Sequence, residues 1–130
     1  MSDDLEIRPL RDWHEMADVV AIQQSVWGEN PADLIHQHML VSIARNGGLV
    51  LGAFVKRKMV GCLIGFLGTE ADDESRPAMA DLKLFSKRLA VLSEYREQGI
   101  GYRLKLAQRD FAMRRGIRLV TWTFDPLMSR

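Results

Sequence analysis

The chain has 130 residues, of which 47% are hydrophobic and 27% are charged, and its formal net charge is +1. This length and composition are typical of a globular protein with a hydrophobic core, so we predict a single domain over residues 1–130. The near-neutral charge argues against nucleic acid or an anionic membrane as the main partner, and any anion site must be local.

The apolar runs are too short to span a membrane. The longest are "LVLGAFV" and "CLIGFLG", whereas a spanning helix needs about 20 apolar residues. The single cysteine, Cys62, lies in an apolar run and has no internal disulfide partner, which predicts a buried, unreactive thiol. The start "MSDDLEIR" is acidic and lacks the layout of a signal peptide. We therefore expect a cytoplasmic protein with no membrane partner.

The first third of the chain predicts one strand and two helices. "LEIRPL" alternates apolar and polar residues and has a proline near its end, which favours an edge strand. "DWHEMADVVAIQQSVW" has apolar residues at helical spacing, and Asp12 followed by Glu15 has the spacing of a capping box. Asn30-Pro31 predicts the start of a second helix, which "NGG" then ends.

The remainder predicts four strands and one more helix. "GLVLGAFV" and "MVGCLIGFLG", separated by three basic residues, favour a hairpin whose turn type stays open. "TEADDESRPAMAD" is typical of a loop, and "LKLFSKRLAVL" of a strand entering the middle of a sheet. A helix closed by Gly116 and the strand "IRLVTWTF" follow. The order β-α-α-β-β-β-α-β predicts an α/β (α+β) fold with a mixed sheet, whose last two long strands are parallel.

Two glycines stand where the penultimate strand gives way to the last helix, in "EYREQGIGYRLK". A helix N-terminus carries unpaired N–H groups and partial positive charge, so a tight glycine loop entering it can hold phosphate. A plain turn whose glycines serve only geometry remains an alternative. A P-loop is excluded because no Gly-Lys-Ser/Thr string occurs, and a dinucleotide fingerprint because Leu104 stands where its third glycine belongs.

The longer string "LAVLSEYREQGIGYRL" resembles the acyl-CoA signature of the GNAT superfamily of N-acyltransferases. In that signature a strand ending Leu-x-Val precedes a turn and then Arg/Gln-x-x-Gly-x-Gly/Ala. Arg96, Gly99 and Gly101 fill the defining positions of the turn, and the predicted element order also resembles that fold. The strand end is formed by Leu89, Ala90 and Val91.

The resemblance implies an acyl-CoA co-substrate, which we expect to be acetyl-CoA. It implies that loop and helix N–H groups hold the pyrophosphate. These groups belong to Glu97, Gln98, Gly99, Ile100, Gly101 and Tyr102. The strand end would bulge and part from the strand containing Thr121, Trp122 and Thr123, so that the backbone of Leu89 and Val91 binds pantetheine.

The implied reaction is direct attack of an amine on the thioester carbonyl. A base would deprotonate the amine, usually through water, an N–H near Val91 would stabilise the oxyanion, and a donor would protonate the thiolate. The catalytic base and acid stay unassigned, as does the amine-bearing acceptor. Four residues near the second helix could border the acceptor, although a structural or merely exposed role is favoured for each: Trp27, Glu29, His36 and His38.

Three further features carry expectations. The two histidines of helix two are two residues apart and would point apart on a helix, so no metal site is expected. An acidic cluster could steer a cationic amine or simply be a solvated loop; it comprises Glu70, Asp72, Asp73 and Glu74. Glu97 departs from the family pattern, in which this residue is more often small, polar or basic. A carboxylate beside a diphosphate would weaken binding.

The family pattern continues past the last strand into another helix and two strands, so the resemblance implies a fold truncated after the fifth strand. The exposed last strand then predicts self-association. The leading hypothesis is an N-acyltransferase, and the alternative is a non-catalytic acyl-CoA-binding or assembly module. A nucleic-acid binder is disfavoured, because the basic residues of the last helix are typical of a solvated face. They are Arg103, Lys105, Arg109, Arg114 and Arg115.

Overall fold

The computed structural model describes residues 4–69 and 81–122. Its strands and helices follow the predicted order, with two short 3-10 turns between them. The strands are β1 (Leu5–Pro9), β2 (Leu49–Val55), β3 (Lys58–Thr69), β4 (Leu82–Val91) and β5 (Val120–Trp122). The helices are α1 (Trp13–Trp27), α2 (Gln37–Arg45) and α3 (Ile100–Arg114). Residues 70–80, which make up most of the predicted loop and contain its acidic cluster, and Thr123 lie outside the described residues. Thr69, the first residue of that predicted loop, instead ends β3.

The five strands form one mixed sheet in the order β1-β2-β3-β4-β5. β1 to β4 pair antiparallel and β4 pairs parallel with β5, which confirms the predicted fold class. α1 and α2 cover one face, where Met16 and Leu40 pack around Cys62. α3 covers the other face, where Leu104 packs with Leu63. The edge position of β1 is also confirmed.

The hairpin between β2 and β3 has a two-residue turn. Lys56 and Arg57 both have positive φ, 51° and 72°. Two left-handed residues are the mark of a type I′ turn, which suits the twist of the strands but is normally made by Asn-Gly. The turn type could not be predicted from the sequence because the usual Asn-Gly is absent. The pairing of β2 with β3 instead holds Lys56 and Arg57 in the left-handed conformation.

The predicted start of the second helix is wrong. Asn30 caps only a 3-10 turn over Pro31–Asp33, with its Oδ1 accepting from the Ala32 N–H at 3.1 Å, and α2 begins at Gln37. The chain between is extended because Gln23 binds both backbone groups of Ile35, at 2.9 and 2.8 Å. The local sequence around residues 30–37 does not predict this contact, because Gln23 is 12 residues away from Ile35.

The capping box predicted for α1 forms only in part. Asp12 caps the helix by accepting from the N–H of His14 at 3.2 Å. The Glu15 carboxylate instead forms a two-pronged ion pair with Arg8 on β1, whose Nη1 lies 3.2 Å from Oε1. The pair joins the first strand to the first helix.

Cys62 is fully buried, as predicted. Burial in apolar surroundings raises the pKa of its thiol to about 12. Because the thiolate is the reactive form, the thiol is inert at neutral pH. Among the residues that the structure describes, no helix is long and apolar enough to cross a membrane. The same residues contain no cluster of three or more metal-binding side chains.

Candidate functional site

The N-terminus of α3 is open to an anion. Gly99 occupies the N-cap with φ 81° and ψ 7°, and no side chain caps the helix. The first helical bond runs from Arg103 N to Gly99 O at 3.0 Å, so the N–H groups between them have no acceptor within the helix. No acidic side chain lies in this first turn. The free amides and the helix dipole therefore favour a bound anion here.

The two glycines of the loop differ in whether the structure requires glycine at their positions. A Cβ on Gly99 would meet no atom within 4 Å, so its left-handed backbone, not space, requires glycine. A Cβ on Gly101 would lie 3.6 Å from Cδ2 of Leu89, which is ordinary contact. The packing of α3 against β4 would therefore accept a Cβ at Gly101.

A bulge interrupts β4 before its end. Ile64 of β3 pairs with Arg88, whereas the next residue, Gly65, pairs with Ser86. Lys87 is therefore the extra residue of β4. An extra residue reverses which backbone groups face which neighbour, because successive residues of a strand point their N–H and C=O to opposite edges.

Beyond the bulge, alternate residues of β4 turn their backbone away from β3. The N–H of Leu92 donates to the carbonyl of Val60 at 2.8 Å, and the register is one-to-one back from there. Ala90 therefore directs its backbone groups at β3, while Leu89 and Val91 direct theirs at the opposite edge. These are the two residues whose backbone was predicted to be freed.

Within the described residues, β5 does not reach that edge. Its parallel pairing spans Leu84 to Ser86 of β4, and Ser86 lies opposite Trp122. The bulge follows at once on β4. Among the described residues, the last pair between β4 and β5 therefore lies just before the bulge.

A cleft of about 520 Å³ joins this edge to the start of α3. Eight of the ten predicted cofactor residues line it: Leu89, Ala90, Val91, Arg96, Glu97, Gly99, Ile100 and Gly101. Gln98 and Tyr102 do not line the cleft, and Tyr102 is 67% exposed. Backbone contact at these two positions does not require their side chains to enter the cleft.

Arg96 ties the loop to the strand. Its Nε donates to the carbonyl of Val91 at 3.1 Å. Of the Val91 backbone groups expected to be free, the carbonyl thus already has a partner, and the N–H is the one directed at the open edge. The guanidinium also adds positive charge at the cleft.

Glu97 stands in the loop with φ 65°, a left-handed conformation that non-glycine residues rarely adopt. Such a conformation costs on the order of 1 kcal/mol. Its side chain lines the cleft, as its sequence position predicted. The loop therefore carries both backbone strain and a carboxylate beside the free amides of α3.

The last turn of α1 supplies the part of the cleft that sequence reasoning largely missed. Val26 was not predicted, and Trp27 was named only as a possible neighbour of the acceptor; both line the cleft. In the sequence, Gly28 marks the end of α1 directly after these two residues. Its φ of 95° is a conformation that favours glycine. His36 instead bonds the Pro31 carbonyl at 3.1 Å and does not line the cleft.

The other two candidates from this region also lie off the cleft. His38 packs its ring edge-on against Trp13, with centroids 5.0 Å apart. Glu29 is exposed. Neither lines the cleft, so of the four residues considered only Trp27 belongs to it.

The sequence model of the acetyltransferase (GNAT) family matches residues 9–128. This chain belongs to the GNAT acetyltransferase family. A search of curated protein sequences found no match. Membership of the GNAT family identifies the chain as an N-acetyltransferase, a class that uses acyl-CoA.

Solved GNAT-like structures share the fold. An aminoglycoside acetyltransferase from an uncultured soil metagenomic sample, in complex with sisomicin, gives a TM-score of 0.80 at 20% identity, covering 98% of this chain and 82% of that one. An aminoglycoside N-acetyltransferase in complex with CoA gives 0.71 at 12% identity, over 95% and 78%. A ribosomal-protein-alanine N-acetyltransferase from Brucella melitensis biovar Abortus gives 0.71 at 16% identity, over 95% and 82%.

Proposed function

We propose that this chain transfers the acetyl group of acetyl-CoA directly to an amine. One observation carries the proposal: the edge of β4 beyond the bulge and the uncapped N-terminus of α3 face a single cleft. A strand edge and a helix N-terminus offer N–H groups with fixed directions, which suit the amide-rich pantetheine arm and the diphosphate of CoA.

In this arrangement the diphosphate lies at the start of α3. The N–H groups of the loop and first turn point to it, and Arg96 adds positive charge. Pantetheine then follows β4 past Val91 and Leu89, whose backbone groups face the cleft. The thioester lies beside this stretch of β4, on its side towards the bulge.

The chemistry is nucleophilic attack by an uncharged amine on the thioester carbonyl. An amine with a pKa of about 10 is mostly protonated at neutral pH, so its proton must leave before or during attack. A strand N–H on the open edge, at Leu89 or Val91, stabilises the oxyanion of the tetrahedral intermediate. Collapse of the intermediate forms the amide and releases the CoA thiolate, which takes up a proton. We leave the base unassigned and expect water to relay the proton.

The acceptor is an amine-bearing molecule. Of the three structural neighbours described above, two are aminoglycoside acetyltransferases and one is a ribosomal-protein-alanine N-acetyltransferase. These neighbours support an amine acceptor and leave both small molecules and protein N-termini as candidates. Self-association through β5 and a cytoplasmic location stay predictions.

The direct test is acetyl transfer. The full chain is incubated with acetyl-CoA and a panel of aminoglycosides, polyamines and peptides with an N-terminal alanine, and products are detected by mass spectrometry. Acetylation of an amine with release of CoA supports the proposal. Calorimetric binding of CoA without transfer or hydrolysis would favour the alternative of an acyl-CoA-binding module, and absence of binding would overturn both.

Glu97→Gln is expected to tighten CoA binding. Removing one negative charge beside a diphosphate gains about 1 kcal/mol, or roughly fivefold in Kd, at low salt. The gain should shrink as ionic strength rises, because salt screens the repulsion. Glu94→Gln is the control, since Glu94 is exposed three residues away and does not line the cleft. Equal or weaker calorimetric affinity in the Glu97 variant would contradict the placement of the diphosphate.

A further inference from the structure

Trp27 lies on the side of the cleft away from the phosphate loop. It is the last residue of α1, lines the cleft and is only partly buried. Its ring packs against Arg88, the residue that follows the bulge, with the guanidinium carbon 4.9 Å from the ring centroid. Arg88 precedes Val91 by three residues, or about 10 Å along a strand. Trp27 thus lies near the bulge, and Gly99 at the opposite end of the same cleft.

Arg88 is also hydrogen-bonded to residues outside β4. Its Nη1 donates to Oε1 of Gln23 at 3.0 Å and to the carbonyl of Asp33. Gln23 is 0% exposed and also bonds both backbone groups of Ile35. The contacts of Arg88 with Trp27, Gln23 and Asp33 therefore join α1, β4 and the chain between α1 and α2.

This network restrains the indole. A cation over an aromatic face attracts it, and the guanidinium cannot swing away without breaking its bonds to two neutral oxygens. The helix also ends directly after Trp27, because Gly28 has φ 95° and ψ 175°, outside the helical region. Trp27 is thus a fixed wall of the cleft.

We propose that Trp27, positioned by Arg88, closes the acyl end of the cleft and restricts the donor to short acyl groups. The inference rests on the proposed function, because the acyl group lies near the bulge only if the diphosphate lies at the loop. A longer chain must then displace an indole that three segments of the fold hold in place. Acetyl-CoA fits without moving it.

The test compares donors of different length. Calorimetry gives Kd for CoA, acetyl-CoA, butyryl-CoA and octanoyl-CoA with the wild-type chain, Trp27→Phe and Trp27→Ala. Trp13→Ala is the matched control, because Trp13 lies at the other end of α1, is 41% exposed and does not line the cleft. Thermal unfolding of each variant shows whether it folds.

The wild type should bind octanoyl-CoA at least about tenfold more weakly than acetyl-CoA. Each CH₂ that gains an apolar site is worth several-fold in affinity, so Trp27→Ala should remove about tenfold of that penalty or more. Trp27→Phe should have a smaller effect, and Trp13→Ala none. CoA itself, which has no acyl group, should bind all four proteins within about threefold.

Arg88 is tested as a positioning residue. Arg88→Met should relax the discrimination between octanoyl-CoA and acetyl-CoA, while Arg88→Lys should restore part of it by keeping the charge near the ring. A purely structural role would weaken every donor equally and leave the ratio unchanged.

The outcomes separate the two proposals. If wild type binds CoA but does not discriminate by chain length, or if Trp27→Ala leaves the ratio unchanged, the role of Trp27 is overturned and the proposed function stands. If wild type does not bind CoA at all, the proposed function fails, and this inference with it.

Discussion

Replacing Gly99 by valine is expected to weaken CoA binding by ~30-fold or more, because losing charge-assisted hydrogen bonds to the diphosphate costs about 2 kcal/mol or more. Gly99 has φ 81° at the N-cap of α3. Valine cannot hold that conformation without strain, so the loop must rotate and its amides no longer converge. Calorimetric titration of CoA measures the loss.

Gly116→Val is the matched control. Gly116 also has positive φ, 72°, and an added Cβ would meet no atom within 4 Å, but it lies beyond the C-terminal end of the same helix. Both variants should lose about 2 kcal/mol of unfolding free energy from left-handed strain, seen as a drop in Tm of about 8 °C. Only Gly99→Val should lose CoA. Equal affinity in both variants would place the diphosphate elsewhere.

Replacing Gln23 by leucine is expected to lower the free energy of unfolding by about 3 kcal/mol, because several polar partners lose their hydrogen bonds at once. The Gln23 amide bonds both backbone groups of Ile35 and accepts from Arg88. Leucine offers none of these bonds, although its volume is similar. Chemical denaturation measures the change.

Gln108→Leu, the same substitution in α3, should have the opposite sign. Gln108 is 1% exposed, yet neither its Nε2 nor its Oε1 has a hydrogen-bond partner among the described residues. Replacing an unpaired buried amide with an apolar group should raise the free energy of unfolding by ~1 kcal/mol. If Gln23→Leu and Gln108→Leu lowered the free energy of unfolding by similar amounts, the amide of Gln108 would have hydrogen-bond partners in solution.

Local patterns determined most of the architecture. Apolar spacing predicted all three helices and five strands in order, since amphipathic periodicity is a property of adjacent residues. The closure of α3 was also local. Gly116 adopts positive φ, and the N–H of Ile117 bonds the Ala112 carbonyl at 2.9 Å, as a glycine-terminated helix does.

The sequence also predicted where a candidate site lies. The spacing of Gly99 and Gly101 after an apolar strand identified the family signature, and eight of the ten residues predicted from it line one cleft. In the proposed function backbone amides bind the diphosphate, so the required feature is a turn geometry, and glycine spacing indicates turn geometry in the sequence.

Contacts between distant segments decided the rest. Gln23 holds Ile35 extended and delays α2 to Gln37, against a local signal for an earlier start. The extra residue Lys87 re-aims the end of β4 only because β3 fixes the register on either side of it. Trp27 reaches the cleft because α1 crosses the sheet onto β4. A single sequence encodes periodicity and turn chemistry between neighbours, whereas hydrogen bonds and packing between residues far apart in the chain exist only after the fold has brought them together.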